Sequence, residues 1–129
     1  MADTLSTDVR NDTVQAIITR AGASAKLKFY NGALPTGGGT PAGTLLATMT
    51  GPGTVIGTAT GGVLDWDEAG FTQNNATHVT GTPTFVRLTT SADAFVADFD
   101  LSVGSSFTGT ITTGVDITFN ASTVTAGNA

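Results

Sequence analysis

The sequence predicts an all-β protein, an antiparallel β-sandwich of jelly-roll-like form with a short N-terminal helix or arm. Three observations predict it. Several short runs alternate apolar and polar residues, turn residues separate them at roughly ten-residue spacing, and threonine (about a fifth of the chain) together with 17 glycines takes the place of charged helix formers. The 129 residues fit one β-domain, residues 25–129, behind an amino-terminal segment 1–24.

Residues Thr7 to Ala21 read as the one helix. Ser6 or Thr7 can cap it, Asp8 sits in the first turn, Val9, Val14, Ile17 and Ile18 cluster near one face, and Gly22 stops it. The period then changes to two: Leu27 and Phe29 point one way and Lys26, Lys28 and Tyr30 the other, as in a half-buried strand that Asn31-Gly32 ends. Ala33 to Thr44 carries two prolines without donors and the triplet Gly37-Gly38-Gly39, so an exposed, mobile loop is expected. Leu45 to Thr50 and Val55 to Thr60 are strands on either side of Gly51-Pro52-Gly53.

Asp65 to Thr82 mixes Trp66 and Phe71, which favour burial, with Gln73-Asn74-Asn75, which favours solvent. It reads as a long connection with a short strand at Thr77 to Thr80. Four strands follow, at Thr84 to Thr89, Ala94 to Ser102, Ser106 to Thr112 and Val115 to Asn120. Phe95, Ala97, Phe99 and Leu101 form an apolar face opposite Asp98 and Asp100, and Val115, Ile117 and Phe119 repeat the pattern. Phe29, Phe85, Phe95, Phe99, Phe107 and Phe119 all fall within strands and are expected in the core.

Composition narrows the function. A net charge of −5 argues against general affinity for nucleic acid, and the absence of cysteine excludes disulfides and thiolate metal sites. No run approaches the ~18 to 20 apolar residues of a membrane span. The first residues lack the basic and apolar regions of a secretory signal, so synthesis in the cytoplasm is expected and three Asn-x-Ser/Thr matches read as chance.

No catalytic, cofactor or metal residues are assigned. The single histidine, His78, lies away from any Gly-x-Ser-x-Gly elbow and reads as a surface or turn residue. Asp65-Trp66-Asp67-Glu68 lacks the spacing of a calcium loop, and Asp98 with Asp100, about 7 Å apart on one strand face, reads as solvated surface; a glycosidase using two of Asp65, Asp67, Asp98 and Asp100 is a further alternative. Gly37-Gly38-Gly39-Thr40 lacks the Gly-Lys-Ser/Thr ending of a phosphate loop. Residues 1–30 hold four bases against three acids, and the remainder one base against seven acids. That asymmetry suits a docking arm onto an acidic partner and equally a solvated helix.

Ser24-Ala25-Lys26-Leu27-Lys28-Phe29-Tyr30-Asn31-Gly32-Ala33-Leu34-Pro35, followed by Gly43-Thr44-Leu45-Leu46-Ala47-Thr48-Met49-Thr50, resembles a strand, loop and strand of small tailed-bacteriophage virion proteins of the capsid decoration or cement type. Phe85-Val86-Arg87-Leu88, Val96-Ala97-Asp98, Val103-Gly104 and Thr118 to Gly127 resemble the carboxyl half of that family in the same order. Asp98-Phe99-Asp100 is more acidic and aromatic than the glycine-rich turn usual there. The chain also stops at Asn128-Ala129 where similar chains enter another apolar strand, so a strand donated by a neighbouring subunit is an expectation.

The resemblance implies a non-enzymatic protein of the virion, made in the host bacterial cytoplasm and bound to the capsid surface. Its implied partners are the major capsid protein and further copies of itself in a dimer or trimer, with no cofactor, nucleic acid or membrane. Arg10, Val14, Ile17, Ile18 and Arg20 in the amino-terminal segment and Leu34 and Pro35 in the loop are the candidate contacts. The alternative is a tail- or fibre-associated receptor- or carbohydrate-binding module with Trp66 and Tyr30 as stacking platforms.

Overall fold

Helix α1 spans Thr7–Ala21 in the computed structural model, which describes residues 5–101, 110–117 and 123–125. Its ends are set by local chemistry. The Ser6 hydroxyl accepts from the Val9 N–H at 3.2 Å, and Gly22, at φ +70°, donates its N–H to the Ile18 carbonyl at 3.1 Å. Val14, Ile18 and Ala21, at i, i+4 and i+7, form the buried stripe with half-buried Ile17 beside it. Val9 does not join them: five residues before Val14 it lies about 140° around the helix, and it is exposed.

The described residues form mostly antiparallel sheet, and neither sheet closes on itself among them. The strands are β1 (Lys26–Tyr30), β2 (Leu45–Thr50), β3 (Gly57–Thr60), β4 (Val63–Trp66), β5 (Thr72–Gln73), β6 (Phe85–Thr89), β7 (Phe95–Asp100) and β8 (Thr123–Thr125). One sheet runs β5-β2-β1-β6-β7 and the other β3-β4-β8. Their alternation sorts side chains as period two requires: Leu27, Phe29, Met49, Ala47, Val86 and Leu88 enter one core cluster with Leu64, Trp66 and the α1 stripe. The helix packs on β3 and β4 and reaches β7, so α1 is part of the core.

Several expectations give way. Asp65 and Trp66, expected to open a connection, instead end the strand Val63–Trp66, because Gly61 and Gly62, at φ +59° and +81°, make a two-residue hairpin turn with β3. That turn sits under the helix, where Gly62 donates its N–H to Asn11 Oδ1 at 3.3 Å and a Cβ on Gly62 would come within 2.9 Å of the Arg10 Cβ. Thr77 to Thr80 is not a strand: Asn75–Thr77 is a 3₁₀ turn capped by the Asn74 side chain, and Val79 then makes a single backbone bond to Leu46.

Within Val115–Ile117 there is likewise no strand, because a side chain takes the place of a strand partner. The Gln73 amide donates to the Ile117 carbonyl at 3.0 Å and accepts from its N–H at 2.8 Å. Ile111 makes one isolated bridge with Gly81; Ser102, Ser106 to Gly109 and Thr118 to Asn120, with Phe107 and Phe119, lie outside the described residues.

A further correction concerns Phe95. Leu88 faces Ala97 but Thr89 faces Phe95, which makes Val96 an extra residue in β7. The bulge turns Phe95 away from the core, onto the face that holds Arg87 and Asp98, where it is 42% exposed.

The β6–β7 turn places Asp93, at φ +68°, where Lys28 and Lys26 donate to its Oδ1 from 2.8 and 3.1 Å. These bonds, Lys28 first, hold the Asp93 carboxyl below its ordinary 3.8. A depressed carboxylate pKa adds stability above the unfolded-state value that is lost as pH falls through the folded-state value. Asp93→Asn, which tolerates positive φ, should therefore lower the urea midpoint slightly at neutral pH and match the wild type once pH is well below 3.8.

Candidate functional site

The candidate site is the outer face of the five-stranded sheet with the loop that crosses it. Lys26, Lys28 and Tyr30 of β1 align there with Thr89, Arg87 and Phe85 of β6, and Asp98 and Asp100 of β7 continue the face. Phe85 is fully buried yet stands outside the main core cluster, and its ring stacks on Tyr30 at 5.3 Å between centroids. This small aromatic layer is a second apolar contact, on the side of the sheet away from the core.

Arg87, 8% exposed, organises the rest. Its Nε and Nη2 donate to the two oxygens of Asp98 at 2.8 and 2.9 Å, and Nη2 also donates to the Gly39 carbonyl at 2.7 Å. Hydrogen bonding to Asp98 raises the guanidinium pKa against the opposing pull of burial. The guanidinium carbon lies 4.8 Å from the Phe95 ring centroid, within cation–π range.

The glycine-rich loop, expected to be mobile, is thus fastened to the sheet. Its base is closed by Asn31, whose N–H donates to the Thr44 carbonyl at 3.2 Å while its Oδ1 accepts from the Thr44 N–H at 2.6 Å. Gly38, at φ +78°, lies against Phe95, and a Cβ there would approach the ring carbons to 2.7 Å. Leu34 remains 46% exposed on this loop, with Pro35 half-buried beside it.

The other candidate contacts lie elsewhere. Val14 and Ile18 are enclosed in the chain's own core, Ile17 packs at its margin, and Arg20 is exposed at the end of α1. Arg10 is half-buried; its Nη2 donates to the Thr7 hydroxyl at 3.2 Å, while its buried Nε has no hydrogen-bond partner among the described residues. The helix residues and the loop residues therefore do not form one patch. Arg87 and Phe95, which position the loop, were not singled out as contacts. The signal available was Arg87 as the one base in residues 31–129, against seven acids, which must find a partner if a strand buries it.

Trp66, Asp98 and His78 make contacts within the fold. Trp66 is buried, with Phe71 and Phe99 edge-on at 6.1 and 5.8 Å, and offers no open face to a sugar. Both oxygens of Asp98 are engaged by Arg87, and no group of three or more His, Cys, Asp or Glu that could hold a metal occurs among the described residues. Of the two readings, surface or turn, His78 fits the second: it caps the 3₁₀ turn Asn75–Thr77 and is 2% exposed. Its Nδ1 lies 3.2 Å from the Val115 carbonyl, and its backbone carbonyl accepts from the Thr113 hydroxyl at 2.7 Å.

The chain matches no family model, no curated protein and no solved structure. Among the described residues no helix is long and apolar enough to cross a membrane.

Proposed function

We propose that the chain is a non-enzymatic virion structural protein, a decoration or cement protein that binds the outer surface of a bacteriophage head and stabilises it. Its partners are the major capsid protein and further copies of the same chain, and its two sheets stack as a sandwich about the shared core. The observation that carries the reading is the loop from Ala33 to Thr44: it offers Leu34 to solvent while its base and tip are tied to a rigid sheet. An exposed apolar side chain on a pre-ordered loop loses little conformational entropy when it docks on a preassembled shell. The resemblance of residues 24–127 to phage decoration proteins supplies the partner.

Purified protein sedimented with heads that lack it should co-sediment at a fixed ratio and raise the temperature at which the heads disrupt, because a ligand that binds only the intact form stabilises it. Absence of co-sedimentation overturns the cement reading and leaves a tail- or fibre-associated receptor-binding module in its place.

A further inference from the structure

We infer that Arg87 is a positioning residue for the loop from Ala33 to Thr44, holding the tip in its docking shape through the Gly39 carbonyl and the Phe95 ring. The inference rests on the proposed docking role for its consequence, though not for its geometry. Three features fix the guanidinium before the loop is considered. Asp98 holds its plane by two bonds, the Val96 bulge brings Phe95 to its side, and β6 sits between β1 and β7, so its backbone is held on both sides.

With its orientation set, the second N–H of Nη2 is aimed at one carbonyl, that of Gly39. Among the described residues this is the hydrogen bond that ties the loop's tip to the sheet; Gly39 N–H to the Thr36 carbonyl, at 3.1 Å, is internal to the loop. Two neighbouring glycines serve the same seat in different ways. Gly38 admits the Phe95 ring because it lacks a Cβ, and Gly39 supplies the acceptor.

Lysine cannot replace arginine here. Its single ammonium centre cannot meet both oxygens of a carboxylate in a fork and a third acceptor beyond them in one fixed plane. Loosening the tip therefore needs no change to any residue that touches a partner, and it returns to the loop the freedom that docking must then remove.

The test uses the full chain with Arg87→Lys and Phe95→Ala, the second because a half-exposed side chain can be removed with the fold intact. Hydrogen exchange in the free protein should show the Gly39 amide losing about tenfold or more of its protection in both variants, while β1 and β6 amides keep theirs. Unchanged exchange at Gly39 in both variants overturns the tether. Affinity of the same variants for heads should fall several-fold to about tenfold, whereas Leu34→Ser should weaken binding with exchange unchanged. Full affinity despite a loosened tip overturns the role in docking. Failure of the wild-type protein to bind heads would instead defeat the cement reading and leave the exchange result standing.

Discussion

Ile18→Ala should lower the free energy of unfolding by about 2–5 kcal/mol, measured by chemical denaturation with Val9→Ser as the control. Ile18 is 1% exposed and lies in the core cluster with Val14, Ala21, Leu64 and Trp66, so truncation removes buried methyl groups and leaves a cavity between the helix and the sheets. Val9 lies on the exposed side of the same helix, and its replacement should stay within about 0.5 kcal/mol of the wild type. The comparison separates two meanings of an amino-terminal segment. A helix that belongs to the core gives a large Ile18 effect and no folded β-body after deletion of residues 2–20; a detachable arm gives a near-neutral Ile18 effect and a folded remainder. The stripe from Val14 to Ala21 favours the first. Any partner must then read the helix from its outer side, where Arg20 lies exposed.

What was legible in the sequence follows the range of the signals. The limits of α1 were readable because cap, first-turn acid and stop glycine all act within a few residues. β1, β2 and β6 were readable to within a residue for the same reason, their alternation being a local property. β4 was missed although its signal was present: Gly61-Gly62 is a two-residue hairpin turn, but the apolar residues beyond it, Val63, Leu64 and Trp66, ran into an acidic stretch that read as a connection.

Phe95 could not have been placed. The run Phe95, Ala97, Phe99, Leu101 alternates cleanly, and only pairing with β6 shows that Val96 is a bulge and that Phe95 changes side. His78 and Ile117 were equally out of reach, since their surroundings come from residues more than thirty positions away in the chain, Val115 for one and Gln73 for the other. The loop is the instructive case. Its glycines and prolines exclude a ladder, but excluding a ladder does not make a loop mobile when a neighbouring strand offers an arginine that needs a third acceptor.

That arginine carries the second large effect. Arg87→Ala should cost about 3–5 kcal/mol, because it leaves the Asp98 carboxylate, with 8% of its side chain exposed, without its cation. Asp98→Ala should be similarly costly for the converse reason, a guanidinium deprived of the acceptor that raises its pKa. Replacing both with apolar residues of similar volume should recover much of the loss, since neither charge is then stranded, and the double-mutant cycle should show strong coupling. A near-additive cycle would mean that the pair is solvated and that its two short bonds contribute little. The pair also links the fold to the loop. Asp98 sets the plane from which Arg87 reaches Gly39, so Asp98→Ala, with Arg87 still present, should free the loop tip as Arg87→Lys does, although Asp98 itself makes no hydrogen bond to the loop among the described residues.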